Sequence, residues 1–498
     1  MKLNQGNDLK IKTIRGLIWS FAELLGTQGI QFIVIMILAR QLSPENFGFI
    51  GMLVIFIALS NLIIDSGFTQ ALIRESYASE SDYSTVFFFN LFMSCSLFII
   101  LYFFAPIFSS FFKEEQLIPL LRVLSLGLII NSLGIIQRVI LIKKIDFKTQ
   151  TKINLLAATI SGFVAIIFAL RGYGVWSLVA QTLTLQITQT VLLWTNNKWF
   201  PIFFFSIPSF KRLFGFGFKL LISGLIDTIY NNLFSIIIGR LYPAAQLGLY
   251  TNAVKLGDMF TISITSAIQR VTYPVLSSIQ EDKDRLRYGF QRIIRTSAYI
   301  MFPIMSGLIA VSDTLIPVLL GPRWFGSIIY FKLLCIAGML YPLHAINLNI
   351  LQVKGKSSIF LKLEIIKKIL LTFLIVVSIY FSLGIIGLIG AAIICSYLSL
   401  VINAYYSARE IAYSISQQIK DILPIFLFSV FMGSFVYLLG IVLPVSKLIK
   451  LFIQISSGSL LYVLVSWIFK IKEFETICQV LFQFLKKAKQ RKINSKGA

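Results

Sequence analysis

Charge is scarce in this chain. Only 13% of its 498 residues are Asp, Glu, Lys or Arg, while 57% are hydrophobic and 14% aromatic; a soluble domain has about 25% charged and about 45–50% apolar residues. A soluble protein of this length would form about three domains of roughly 150 residues, and no stretch here is polar enough to cover three cores. The apolar surplus therefore faces lipid. Cysteine and histidine are rarer still. The four cysteines, Cys95, Cys335, Cys395 and Cys478, are widely spaced with no C-x-x-C pair, and there is one histidine, which excludes a disulfide framework and a zinc site. Nucleotide and hydrolase motifs are missing as well. Gly355-Lys356-Ser357 would close a phosphate loop only with glycine at position 350, where Ile350 stands, so ATP hydrolysis is not expected. There is no nucleophile elbow, H-E-x-x-H motif or acidic metal cluster. The chain reads as a non-enzyme without a resident cofactor.

Acidic residues number 21 against 45 basic ones, a net charge of +24. Such a balance suits nucleic acid, a membrane surface or anionic substrates. Basic residues occupy the short gaps between apolar runs and aromatics fill the runs, which argues against a nucleic-acid partner. The positive-inside rule accounts for most of them. Lys and Arg crowd the segments that share a side with the N-terminus, which places both termini in the cytoplasm. The basic N-terminus runs into a long apolar segment without a cleavage site, and is expected to be a retained first span rather than a signal peptide.

Runs of about 20 apolar residues bounded by charge, proline or glycine predict about fourteen membrane-spanning helices, from 14–39 to 448–469, joined by short loops. The expected fold is all-α and integral to the membrane. An internal repeat organises it. A shift of 200 residues lays ILARQLSPENFGFI (37–50) on IIGRLYPAAQLGLY (237–250), matching Arg40 with Arg240 and Gly48 with Gly248 without a gap. Six spans separate equivalent points, so both copies begin on the same side of the membrane, a parallel pseudo-two-fold arrangement. The expected organisation is a six-helix N-lobe at 1–200, a six-helix C-lobe at 201–410, two extra helices at 411–470 and a tail at 471–498. That tail, ending in KKAKQRK and beyond, reads as a basic amphipathic helix on the anionic inner leaflet.

The same shift aligns polar stripes. Glu23, Thr27 and Gln31 of the first span match Ser223, Asp227 and Asn231 of the seventh, each set at four-residue steps on one helix face. Asn61, Asp65 and Thr69 of the second match Thr261, Thr265 and Gln269 of the eighth, where Asp258 and Lys255 prolong the stripe. A charge at the bilayer centre costs about 2.5–3.5 kcal/mol, so these faces should line a wet cavity between two lobes.

Each candidate has two readings. Lys255 and Arg270 form a cationic ladder for an anionic headgroup, or Lys255 pairs with Asp258 while Arg270 reaches the membrane edge. Asp65 and Asp227 take a coupling proton or sodium ion, with Glu23 and Asp258 as further carboxylates, or all four bind neighbouring helices. His344, after Pro342 and near Asn347, is a titrating group or a hydrogen-bonding residue at a proline kink. Arg40 to Gly48 reads as an architectural hairpin, with Ser43 as N-cap, Pro44 at the first helical position and Glu45 in the first turn.

Six segments taken in order carry a family resemblance: DSGFTQALIRE (65–75), YSTVFFFNL (83–91), GYGVWSLVAQ (172–181), GRLYPAAQLGLYTNAVKL (239–256), VTYPVLSSIQEDKDRLR (271–287) and LLGPRW (319–324). Together they resemble the Wzx-type polysaccharide and lipopolysaccharide exporters, near the colanic-acid exporters, of the multidrug/oligosaccharidyl-lipid/polysaccharide superfamily. The resemblance implies a flippase that moves an undecaprenyl-pyrophosphate-linked oligosaccharide across a bacterial inner membrane by alternating access of two lobes. It implies membrane lipids and the lipid-linked sugar as partners, other polysaccharide-assembly membrane proteins beside it, and a monomer. Cavity residues vary with the glycan in that family, so none carries over. A small-molecule antiporter of the same superfamily is the nearest alternative. A membrane glycan polymerase or ligase is the alternative of another class, and the short outer loops leave it little room for catalytic residues.

Overall fold

The computed structural model describes residues 2–75, 77–476, 478 and 479. Among them every regular element is helical. The chain divides by packing into two compact units, Met1–Asn252 and Ala253–Ala498. The first holds α1 (Lys2–Gln41), α2 (Pro44–Asp65), α3 (Phe68–Arg74), α4 (Glu80–Phe112), α5 (Leu117–Lys143), α6 (Phe147–Leu170), α7 (Trp176–Asn196) and α8 (Ile207–Leu241). The division falls inside α9 (Ala244–Ser278). The second unit continues with α10 (Lys283–Leu319), α11 (Ser327–Gly338), α12 (Tyr341–Val353), α13 (Ser357–Tyr380), α14 (Gly384–Ile411), α15 (Ile415–Val442) and α16 (Lys447–Ile468).

Each apolar run of the sequence is helical, and among the described residues eleven helical segments are long and apolar enough to cross a membrane. The other long helices, α7, α9 and α13, are more polar. Gln181, Gln186 and Gln189 lie on α7, Lys255, Asp258 and Arg270 on α9, and Lys362, Glu364, Lys367 and Lys368 on α13.

Two runs that read as continuous are broken. After Asp65, Ser66 and Gly67 turn left-handed at φ of 45° and 74°, and α3 starts afresh. Helical geometry cannot pass through two such residues. The tenth run breaks between Gly338 and Tyr341, and Pro342 stands in the first turn of α12. Its missing N–H would be unpaired there anyway, so this proline opens a helix instead of kinking one. The hairpin at Ser43 has Pro44 at the start of α2 and Glu45 in its first turn, but the Ser43 hydroxyl makes no capping bond. By contrast, α4 opens on a full capping box between Ser79 and Asp82. The tail expected at 471–498 lies outside the described residues from 480 onward and at 477.

Local conformation recurs along the chain. The residues with positive φ include Ile145 (57°) and Ser382 (51°) outside glycine, and Gly172 (80°), Gly174 (56°), Gly355 (70°) and Gly384 (71°). Ile145, Gly172 and Gly174 stand 210 positions before Gly355, Ser382 and Gly384. The turns that join α5 to α6 and α6 to α7 are therefore repeated in those joining α12 to α13 and α13 to α14.

In the first unit, α2 and α8 pack along their lengths through glycine. A Cβ on Gly67 would lie 2.5 Å from the carbonyl oxygen of Gly217, and one on Gly239 3.1 Å from Met52. Near Gly67, Phe68, Phe87, Ile136 and Leu213 form a buried cluster that draws in Phe89, Trp194, Trp199, Phe210 and Phe214. The segment before α8 is tied to α4 at several points: Trp199 Nε1 donates to Glu80 at 2.5 Å, the Ile202 amide to Ser84 at 3.0 Å and the Ser206 amide to Thr85 at 2.9 Å. Arg212 pairs with the buried Asp82 at 2.6 Å. These bonds tie α8 to the first unit, although the sequence shift predicts a boundary near residue 200.

In the second unit α10 is the central helix. Tyr299 donates to Ser466 of α16 at 2.7 Å and Tyr462 donates to the Tyr299 carbonyl at 3.1 Å. Arg295 holds Glu473 at 2.6 Å and lies 3.9 Å from Asp421.

Candidate functional site: polar residues within the membrane helices

The striped positions divide between the units. Glu23, Thr27, Gln31, Asn61, Asp65, Asp227 and Asn231 belong to the first; Lys255, Asp258, Thr265, Gln269 and Arg270 belong to the second.

In the first unit some of these residues meet and others do not. Asn154 of α6 donates to Glu23 Oε1 at 2.6 Å, and Gln189 of α7 donates to Asn154 at 3.1 Å. Thr151 reaches the other Glu23 oxygen at 3.5 Å. Asn131 of α5 donates to Asn61 at 2.8 Å. Arg138, seven residues further along α5, stands within electrostatic reach of both Asp65 and Glu23. The result is two hydrogen-bonded groups, one joining α1, α6 and α7 and one joining α2 and α5, with Arg138 in electrostatic reach of a carboxylate on α1 and another on α2.

Asp65 has a further role. It is the last residue of α2, and its carboxylate accepts from the Thr69 amide at 3.2 Å and from the Thr69 hydroxyl. It thereby bonds the first turn of α3 across the left-handed break. Thr27 turns its hydroxyl onto the Glu23 carbonyl at 2.6 Å, a local helix bond. Gln31, Ser223, Asp227 and Asn231 are exposed.

In the second unit Lys255, Gln269 and Arg270 are exposed, although Ala253, Leu256 and Gly257 beside Lys255 are buried. Thr261 donates to the Gly257 carbonyl at 3.1 Å and to Asp258 at 3.4 Å. Tyr341, in the first turn of α12, lies within electrostatic reach of Asp258. Thr265 is half-buried. His344 is held from both ring nitrogens, by Ser396 at 3.0 Å and Asn403 at 3.3 Å, while Asn347 accepts from Ser407 at 2.5 Å. Its two hydrogen bonds make it a cross-brace between α12 and α14.

Sequence reasoning missed Arg138, Asn131, Asn154 and Gln189. The fourth apolar run ends at residue 137, which assigns Arg138 to a loop, whereas α5 continues to Lys143. A signal was present: Asn131 and Arg138 are seven residues apart, and Thr151 and Asn154 three, so each pair shares a helix face. The 200-residue shift drew attention to the first, second, seventh and eighth runs instead.

The helix arrangement is like that of solved structures. One titled lipid II flippase MurJ, in an inward closed conformation, aligns with a TM-score of 0.72 at 17% identity over 92% of this chain and 98% of that one. An inward-facing multidrug resistance MATE family transporter of the MOP superfamily aligns with a TM-score of 0.62 at 16% identity, over 77% and 94%. At such identities the likeness is one of fold. By sequence, the chain is 29% identical to the teichuronic acid biosynthesis protein TuaB of Bacillus subtilis over 60% of this chain and 62% of that one. It is 25% identical to the succinoglycan biosynthesis transport protein ExoT of Rhizobium meliloti over 63% and 64%. It is 24% identical to the lipopolysaccharide biosynthesis protein WzxC of Escherichia coli over 77% and 78%. The matched part thus spans less than two thirds of TuaB and of ExoT. A family model described as polysaccharide biosynthesis protein matches residues 37–329, more than half of the sequence, and the chain belongs to that family.

Proposed function

We propose that this chain is a flippase that carries an undecaprenyl-pyrophosphate-linked oligosaccharide from the inner to the outer leaflet of a bacterial cytoplasmic membrane, for O-antigen, capsule or exopolysaccharide biosynthesis. The family match over 37–329 carries the reading. Relatives named for succinoglycan transport and for lipopolysaccharide biosynthesis support it, as does the fold likeness to a structure titled lipid II flippase. A small-molecule antiporter would share that fold, and the family match favours the lipid-linked cargo. The work is that of a secondary-type transporter, not of a catalyst.

The mechanism follows from the cost of charge in lipid. Glu23, Asp65 and Arg138 in the first unit and Lys255, Asp258 and Arg270 in the second stand on membrane helices, where ionised groups are retained for a path or a partner. Lys255 and Arg270 are the proposed contacts of the pyrophosphate. Asp65 beside Glu23 and Arg138 is the proposed site of a coupling proton or sodium ion, with Asp227 as a second. Two carboxylates facing one guanidinium leave one negative charge for that ion to balance. The lobes that alternate are 1–200 and 201–410, a division supported by the left-handed residues that recur 210 positions apart, with 411–470 and the tail appended. The protein works as a monomer beside other polysaccharide-assembly membrane proteins, with both termini cytoplasmic.

Two experiments test this reading. Purified protein in proteoliposomes should move a lipid-linked sugar to the opposite leaflet; a protein that transports only small cations would overturn the assignment. In cells, cysteines replacing Glu115 and Gly321 should label from outside and one replacing Lys356 from inside. Reversed labelling would overturn the orientation.

A further inference from the structure

The second unit contains a groove between α14 and α15 that has no part in the path proposed above. Its apolar stretch, about 230 Å³, is lined by Leu343, Val401, Ala404, Ile419, Leu423 and Phe426 among others. The walls are stripes at helical spacing: Tyr397, Val401 and Ala404 on α14, and Ile415, Ile419 and Leu423 on α15. Of these Tyr397, Val401, Ile419 and Leu423 are 43–49% exposed. The one amide in the lining, Gln418, is buried and donates to the Tyr413 carbonyl at 3.4 Å. The groove therefore offers a ligand hydrocarbon and little else.

The two ends of this groove differ in chemistry. At Ile415 it meets an open pocket of about 610 Å³ lined by Tyr405, Arg409, Ser414, Ser416 and Gln417. There the exposed Arg409 lies over the Tyr405 ring at 4.4 Å. The nearby carboxylates are engaged, Glu410 by Lys356 at 2.9 Å and Asp421 by the Tyr413 hydroxyl at 2.5 Å. Arg409 and the positive end of the α15 dipole leave this mouth cationic. At Phe426 the groove adjoins a second, largely apolar cavity whose lining adds Ser306, Lys332 and Ser434, and there Lys332 is paired with Asp313 at 2.7 Å. Ile415 and Phe426 are eleven residues apart, roughly 16 Å along the helix at about 1.5 Å per residue. That is about half of a hydrocarbon core roughly 30 Å thick, the depth of one leaflet.

We propose that this groove seats a resident anionic glycerophospholipid of the leaflet adjoining the α14–α15 turn, its phosphate on Arg409 and the first turn of α15 and one acyl chain between the two helices. The one-leaflet depth of the stretch from Ile415 to Phe426, and the Lys332–Asp313 ion pair beyond it, select an acyl chain over a longer polyprenyl tail. The lipid joins α15, the first helix beyond the twelve-helix body, to α14, the last helix of that body.

The full-length protein, purified in detergent and offered phosphatidylglycerol, phosphatidylethanolamine or a polyprenyl phosphate, should retain one phosphatidylglycerol in native mass spectrometry. Arg409→Gln should reduce retention about tenfold, the usual scale of one charge-assisted hydrogen bond, and Arg409→Lys should restore most of it. Val401→Trp should expel the chain whatever the headgroup. Because a variant could misfold, phosphatidylglycerol with a photoreactive acyl chain should also cross-link to the groove walls of the unaltered protein. Equal retention of phosphatidylethanolamine, preferential capture of the polyprenyl phosphate, retention unchanged by both groove variants, or cross-links confined to other helices would each overturn the proposal. Loss of sugar translocation with lipid retention intact would instead count against the flippase reading alone.

Discussion

Gly48 and Gly248, 200 positions apart, pack backbone to backbone. A Cβ on Gly248 would lie 3.0 Å from the Gly48 amide nitrogen and closer still to the Pro44 carbonyl, and one on Gly48 would overlap the Ala244 carbonyl. The contact is reciprocal, because Pro44 and Ala244 are also 200 residues apart. Positions matched by the 200-residue shift thus meet in a reciprocal contact at the starts of α2 and α9.

No side chain fits that crossing without moving backbone. Gly48→Val or Gly248→Val should destabilise the protein by about 1–3 kcal/mol, the usual range for overpacking. The two glycines share one contact, so the double variant should cost clearly less than the sum of the singles. Thermal unfolding in detergent measures both quantities. Additive losses would mean that the two sites are strained independently.

The polar groups of the first unit predict a different pattern. Glu23→Gln keeps an oxygen for Asn154 and should leave the melting temperature nearly unchanged, while removing one of the two negative charges that face Arg138. Glu23→Leu leaves Asn154 without its acceptor and should cost about 1–3 kcal/mol. Arg138→Gln leaves Glu23 and Asp65 without the guanidinium that both lie near and should be the most damaging, with partial rescue by Glu23→Gln. A double variant no better than Arg138→Gln would show that the guanidinium acts alone.

Much of this was legible in the sequence, and the omissions have physical causes. Long apolar runs located the long helices because lipid-facing helices leave little room for other patterns. The break after Asp65 was hidden because Ser66, a non-glycine residue, takes a left-handed conformation at φ of 45°. The Asn61–Asn131 bond joins residues 70 apart, and a periodicity read along one helix cannot name the partner on another. Asp227 matched Thr27 by the repeat, yet it is exposed while Thr27 is half-buried; the shift relates positions in the chain and does not fix what packs over them.

Outside the membrane helices one carboxylate carries a pH signature. Glu114 follows the left-handed Lys113 at the end of α4, and its amide bonds the Ser109 carbonyl at 3.1 Å. Burial raises its pKa above the usual 4.5, and the like charge of Glu45 raises it further. The folded state then binds this proton more tightly than the unfolded state, so stability falls as pH rises from 4.5 through the raised value. Glu114→Gln should melt slightly higher than the parent at neutral pH, and the difference should vanish below pH 4.5. A variant less stable than the parent at neutral pH would show that the carboxylate makes a net favourable contact.

Lys255 and Asp258 lie one turn apart on α9, and the proposed role of the lysine is to hold an anionic headgroup. If its role were only to balance Asp258, then Lys255→Ala with Asp258→Asn should restore the transport lost in Lys255→Ala, because no charge would be left uncompensated. If Lys255 contacts phosphate, the double variant should stay defective. Lys255→Arg should keep part of the activity, since the charge survives while guanidinium and ammonium donate hydrogen bonds in different geometries. Surface-glycan export in cells lacking their own transporter, at matched protein abundance, is the readout. Defect in the double variant with partial activity in Lys255→Arg places the headgroup at Lys255. Full rescue by the double variant would move the cationic contact to Arg270, whose exposed side chain lies fifteen residues, roughly 22 Å, further along the same helix.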